Sequence, residues 1–202
     1  MPSIITAGDA SNGLVVASGN DGAVVIQSGL AGAKVDALSI AADGQVTSTK
    51  PLGKVVQVVN FQTGAVATGT TVIPFDNTIP QITEGNEYMT LAITPTSTAS
   101  ILIVEVTTFL SASTSASHMI VALFQDAVVN ALAAMVSFNA GDLQTETQSF
   151  THKMTAGTIS AITFRVRAGP HSANTMTFNG SGGVRRFGGV AASSITITEV
   201  TP

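Results

Sequence analysis

The sequence contains no cysteine and no tryptophan, one tyrosine, and only eight lysines and arginines in 202 residues. Without cysteine there is neither a disulfide framework nor a thiolate site, and the redox compartment leaves no mark. Charged residues make up 10% of the chain, where about 25% is ordinary for a soluble domain. Apolar residues reach 45% and the mean hydropathy is +0.42, which excludes an intrinsically disordered chain. A bilayer-spanning helix is excluded as well, because the longest apolar stretch, Met119 to Phe138, is broken by Gln125, Asp126 and Asn130. The first residues lack the basic start, apolar centre and cleavage site of a secretory signal, so Sec export is not expected. A chain this apolar and this poor in charge is expected to bury surface against copies of itself.

What charge there is falls unevenly. Residues 1–54 carry four aspartates and three lysines, and residues 55–152 carry seven acids with no lysine or arginine. From Lys153 onward come five bases and one acid, Glu199. Such an acidic front and basic back can attract within a chain or between copies, or can be ordinary scatter in a charge-poor protein. An acidic chain with four arginines lacks the basic stripe that tracks phosphates, so no nucleic-acid partner is expected, and no membrane partner either.

Residues 1–47 read as short strands with tight turns. Asn12-Gly13, Asp21-Gly22 and Asp43-Gly44 supply the positive φ that two-residue hairpin turns need. Between them lie Leu14–Val16, Ala23–Ile26 and Ala37–Ile40, too thin a ladder to enclose a core alone. Either several copies wind into a stem, or the segment is an arm that orders on docking to another protein. Residues 48–54, with Pro51 and Gly53, form a linker. Residues 55–202 then show longer strands, expected at Val55–Phe61, Thr70–Phe75, Met89–Thr94, Ser100–Leu110, His118–Gln125, Ala131–Phe138, Thr145–Met154, Ile159–Arg167, Thr175–Asn179 and Ser194–Val200. Asp126–Met135 is ambiguous between a helical turn and loop plus strand, with Val128-Val129 arguing for the latter. The expected fold is all-β: an antiparallel β-sandwich head of jelly-roll type on a thin N-terminal β-stem, assembled as a trimer.

Along Ile162–Arg167 the apolar residues Ile162, Phe164 and Val166 alternate with Thr163, Arg165 and Arg167. Glu105 interrupts the apolar run Ile101–Val106, and a buried carboxylate needs a partner. It either pairs with Arg165 or Arg167 or faces water at a strand end. Gly180–Gly189 is glycine-rich without phosphate-loop spacing; its Arg185, Arg186 and Phe187 suit either an anion or, better, a subunit contact. Glu105, Arg165, Arg167, Arg185, Arg186 and Phe187 are therefore the candidate contact residues.

The search for chemistry finds little. His118, His152 and His171 are scattered, Ser117-His118 would point to opposite faces of a strand, and Glu84 and Glu87 look like solvated loop carboxylates. No catalytic residue, metal or cofactor is expected. Asn179-Gly180-Ser181 matches a glycosylation sequon, but Asn-Gly is expected to make a turn.

Three ordered landmarks carry a resemblance over residues 53–200. They are Gly53–Asn60, Leu91–Thr98, and the ending that joins Phe164–Pro170, Phe178-Asn179-Gly180, Phe187-Gly188-Gly189 and Ser194–Glu199. Together they resemble the C-terminal β-sandwich domain of phage and prophage fibre-like virion proteins. The resemblance implies a virion surface protein, commonly trimeric, with a sandwich head on a slender stem and no catalytic residues to carry over. The expected function is a non-enzymatic short fibre or capsid-decoration protein on the capsid surface or tail, anchored by its N-terminal segment to capsid or tail proteins. The alternative is a tail-fibre receptor-binding protein recognising a host surface glycan or protein. The single tyrosine and absent tryptophan leave few aromatic platforms for sugars and favour the structural role.

Overall fold

In the computed structural model, residues 54–201 are described in full, and before them the backbone of three strands: β1 (Val24–Ser28), β2 (Val35–Ile40) and β3 (Val46–Ser48). These three pair antiparallel in the order β1-β2-β3, with a bulge between Ile26 and Gln27. The expected strand Leu14–Val16 and the turns at Asn12-Gly13, Asp21-Gly22 and Asp43-Gly44 lie outside the described residues. The chain divides into two compact units, Met1–Leu52 and Gly53–Pro202.

The second unit is all-β and antiparallel throughout. Its strands are β4 (Val55–Thr63), β5 (Ala67–Gly69), β6 (Asn86–Ile93), β7 (Ile101–Ala112), β8 (Ser117–Gln125), β9 (Ala133–Asn139), β10 (Thr145–Thr155), β11 (Ile162–Pro170), β12 (Met176–Phe178), β13 (Gly180–Ser181), β14 (Val184–Arg185) and β15 (Ser193–Val200). One sheet runs β4-β15-β7-β12-β5, with β10 on the other edge of β7; the second runs β6-β11-β8-β9. β10 pairs β7 from Ile101 to Ser111, while β15 and then β12 share the opposite edge, at residues 101–107 and 110–112. Both sheets contribute to one core, built from residues such as Leu102, Val104 and Ile197 on one side and Val121, Phe164 and Val166 on the other. Alternation explains the facing: in β11, Ile162, Phe164 and Val166 are buried while Thr163, Arg165 and Arg167 are half-buried on the other face.

The handover from β15 to β12 along β7 leaves a gap that polar side chains fill. Asn179 donates through its backbone to Phe109 O, and Ser193 Oγ accepts from Phe109 N at 3.0 Å. Ser193 Oγ in turn donates to Asn179 Oδ1 at 2.6 Å, and Asn179 Nδ2 donates to Thr63 O and Ala65 O at 2.7 and 3.1 Å. Asn179 has φ 56°, a left-handed conformation that asparagine tolerates better than most, and it is fully buried. The sequon is thus used as the bend expected of Asn-Gly, with its amide nitrogen committed inside the protein.

Central strand β8 is apolar on both faces. Met119, Val121 and Leu123 enter the sandwich core, whereas Ile120, Ala122 and Phe124 form a second cluster with Ile73. Residues 70–85 cover that outer face. A strand over Thr70–Phe75 was expected there; instead Ile73 N bonds Pro170 O and Gly85 N bonds Val72 O singly, and Pro74 has no N–H to extend a ladder. The Asp126–Met135 segment resolves as turn, loop and strand. Asp126 has φ 50°, Ala131 N bonds Pro80 O, Ile82 N bonds Val129 O, and β9 begins at Ala133.

Candidate functional site

The outer face of the β6-β11-β8-β9 sheet holds a groove of about 230 Å³. Pro74, Phe75, Asp76, Thr78 and Pro80 form one wall, Ala134, Met135 and Val136 of edge strand β9 the other, and Ile120 lies within it. At one side stands an aromatic cluster. The Phe75 ring stacks on His118 with centroids 4.2 Å apart and planes at 21°, and Phe138 and His171 each lie 5.1 Å from the same imidazole. Backbone bonds hold the histidines together: His118 N donates to His171 Nδ1 at 3.0 Å, and His171 N donates to His118 O at 2.9 Å. Phe75 and Phe138 are each more than half exposed, at 56% and 51%. Asp76 is held below the usual carboxylate range, chiefly by the Thr78 hydroxyl and then by the Thr78 amide. The groove is therefore an apolar trough with one ionised carboxylate on its wall. Sequence reasoning missed it because Phe75, His118, Phe138 and His171 come from four separate segments, brought together by the pairing of β8 with β9 and β11 and by the packing of residues 70–85 over that sheet.

Within the chain Glu105 does not pair with Arg165 or Arg167 and takes the alternative reading, facing water. Glu105 lies mid-strand on β7, opposite Thr151 and Thr196, with its side chain exposed on the outer face of the first sheet. Arg165 and Arg167 belong to the second sheet and converge on Glu87 of β6, at 3.2 and 3.5 Å. The register explains it, since Thr90 and Glu87 stand opposite Arg165 and Arg167, the ladder skipping Tyr88 of β6 between them. Arg165 Nε also donates to Asp126 O at 3.0 Å, while Arg167 donates to Glu84 O and Gly85 O at 2.9 and 2.7 Å. The two arginines fasten the loops that flank the groove-bearing face.

Arg185, Arg186 and Phe187 occupy an exposed projection. β13 and β14 form a hairpin whose turn residues Gly182 and Gly183 have φ 62° and 75°, the double positive φ of the tightest hairpin turn. One turn follows at Phe187–Gly189, with φ of 50°, 67° and 95° in succession.

The residue types of a catalytic triad fall apart. Ser117 is buried, its Oγ donates to His118 O, and Asp126 Oδ1 accepts from Thr163 N at 2.8 Å. His152 sits on β10 in the other sheet, where burial pulls its pKa below the ordinary histidine value. Glu84 accepts from Gln81 N and Glu87 is held by the arginines, so neither carboxylate faces the other across a cleft. Among the described residues no cluster of three or more potential ligands is placed to hold a metal ion.

No protein-family model matches the sequence, and no curated protein is significantly similar to it. Solved structures give distant likenesses. Eiger TNF from S. frugiperda is 8% identical, with 74% of this chain and 93% of that chain covered at a TM-score of 0.38. A CBM4 structure is 14% identical, covering 65% of this chain and 76% of that one at 0.33. A structure of infectious bursal disease virus Gx strain is 8% identical, covering 78% and 39% at 0.35. Likenesses at this level assign no function.

Proposed function

We propose that this chain is a non-enzymatic virion surface protein of phage type, a short trimeric fibre or capsid-decoration protein. A jelly-roll-type head is borne on the N-terminal segment, which anchors it to capsid or tail proteins. The observation that carries the self-associating part is the surface of the head: sixteen large apolar side chains stand exposed, Phe187, Val190, Phe75 and Phe138 among them, in a chain with few charges to keep copies apart. The three-landmark resemblance over residues 53–200 supplies the virion setting. Short strands such as β1–β3 gain little alone and are suited to docking, where an added strand contributes backbone hydrogen bonds.

The second reading is host recognition. Phe75, His118 and Phe138 make a partly exposed aromatic surface of the kind that stacks on sugar rings, in spite of the low aromatic content. Electron microscopy of particles carrying a labelled copy tests the virion assignment. Label on the capsid surface or tail is expected, and particles that never carry it would overturn the proposal. Release of oligosaccharides from a bacterial surface polysaccharide by the purified chain would overturn its non-enzymatic part.

A further inference from the structure

The two most exposed large apolar side chains of the described residues share one projection: Val190 is 84% exposed and Phe187 78%, with Val184 at 57% in the same segment. Phe187 holds φ 50°, a conformation that bulky residues avoid, and the neighbouring glycines continue the positive φ, so the backbone turns the phenyl ring outward. Arg185 and Arg186 stand beside it. Of the four arginines, Arg165 and Arg167 are engaged by Glu87, while among the described residues neither Arg185 nor Arg186 forms an ion pair. The projection is an apolar knob with two uncommitted positive charges at its base.

The groove has the opposite character. It is concave and apolar, it carries the ionised Asp76, and all its residues come from the stretch 55–152 that has no lysine or arginine. We infer that Phe187 and Val190 of one copy seat in the groove of a second copy, with Arg185 and Arg186 facing the Asp76 wall. Aromatic and arginine anchors in a pocket are the side chains that dominate protein contacts, and opposite charge at the rim sets orientation. Knob and groove are different surfaces, so the contact is heterologous. Each copy offers one of each, and repetition closes a ring when the rotation between copies matches, as in a trimer. This inference rests on the self-association proposed above and assigns it to named residues.

Sedimentation velocity and native mass spectrometry on the full chain test it. Wild type is expected to form a closed oligomer at micromolar concentration. Phe187→Ser, which removes the knob, and Val136→Asp, which spoils the groove, should each weaken assembly at least ~10-fold. An equimolar mixture of the two variants should form one-to-one pairs and go no further, because one intact knob meets one intact groove; such pairing also proves both variants folded. Asp76→Arg should weaken assembly, and adding Arg185→Glu with Arg186→Glu should restore it. A wild-type monomer would overturn the self-association and the contact together. A wild-type oligomer unchanged by Phe187→Ser, or a variant mixture that fails to pair, would overturn the contact alone. Protection of residues 74–80 and 134–136 by an oligosaccharide in hydrogen exchange, with the chain monomeric, would give the groove another occupant and overturn it too.

Discussion

At the scale of single residues, the polar groups that matter most are those with no exposure. Glu199 lies in β15 with none of its surface reaching solvent. Burial is the largest influence on its carboxyl and opposes ionisation, but the donors of Gln57 and Thr96 outweigh it and hold the pKa at about 2. Gln57 Nε2 approaches to 2.6 Å, and the amide and hydroxyl of Thr96 to 2.8 and 2.7 Å, so the carboxylate ties β4 and the 94–100 loop to β15. A carboxyl lowered on folding stabilises above its unfolded pKa near 4.5, and that contribution fades as pH falls toward 2. Denaturant titrations from pH 5 to pH 2 should show a loss on the order of 3 kcal/mol from this group. Glu199→Gln should flatten that dependence; an unchanged slope would refute the role. Tyr88 provides the opposite case. Stacked on Phe178 at 4.6 Å, its hydroxyl is pushed up to about 12 by burial, so stability should fall as pH rises above 10. Absorbance titration should find the single tyrosine ionising near 12, and a midpoint near 10 would contradict its burial.

At the scale of strands and turns, the ion pairs and bends can be weighed against one another. Arg165 and Glu87 are each about a third exposed, so their pair is worth no more than ~1 kcal/mol, and exposed Glu105 less. Glu105→Gln should therefore change unfolding free energy by under ~0.5 kcal/mol. Arg167→Met should cost more, about 1–3 kcal/mol, because it leaves Glu84 O and Gly85 O without their donor. Gly85→Ala should cost a similar amount, about 1–3 kcal/mol, since φ is +64° and a Cβ would come within 2.9 Å of Ala168 O. Chemical denaturation of these three variants measures all of it; a Glu105→Gln loss larger than that of Arg167→Met would mean the strand faces are misassigned.

The same elements show what could be read in advance. Alternation in β11 named the buried face, and nine of the ten strands expected after residue 55 form near where their β-branched and aromatic runs lie. Alternation carries no information on register, however. That two arginines on β11 meet Glu87 rather than Glu105 depends on which strand lies beside β11 and on a bulge at Val166/Arg167, and both are long-range facts. Thr70–Phe75 has strand composition yet roofs a sheet, because burying Ile73 over Ile120 and Phe124 outweighs local preference. The exposure of residues 184–190 was legible because glycine, arginine and phenylalanine there have no use in a core; the groove was not, being assembled from distant segments.

At the scale of the whole molecule, the question is which part of the chain carries its own stability. The principal core draws on both sheets of the second unit, and the second cluster beneath residues 70–85 belongs to the same unit. Among the described residues, every member of both clusters, including those packed around them, falls between Val59 and Ile197. β4, the first strand after Lys54, is fixed along its length by β15, and Thr201 N closes the end of the ladder on Lys54 O at 3.0 Å. By contrast β1, β2 and β3 comprise five, six and three residues, and a sheet of that size is marginal in water by itself. A fragment beginning at Gly53 should therefore unfold cooperatively, with a midpoint close to that of the full chain, whereas a peptide of residues 1–47 should show no slowly exchanging amides. Calorimetry on the first and hydrogen exchange on the second decide it. A head fragment that melts without cooperativity would mean that residues before Gly53 supply part of its core, and the N-terminal segment could then not act purely as an anchor.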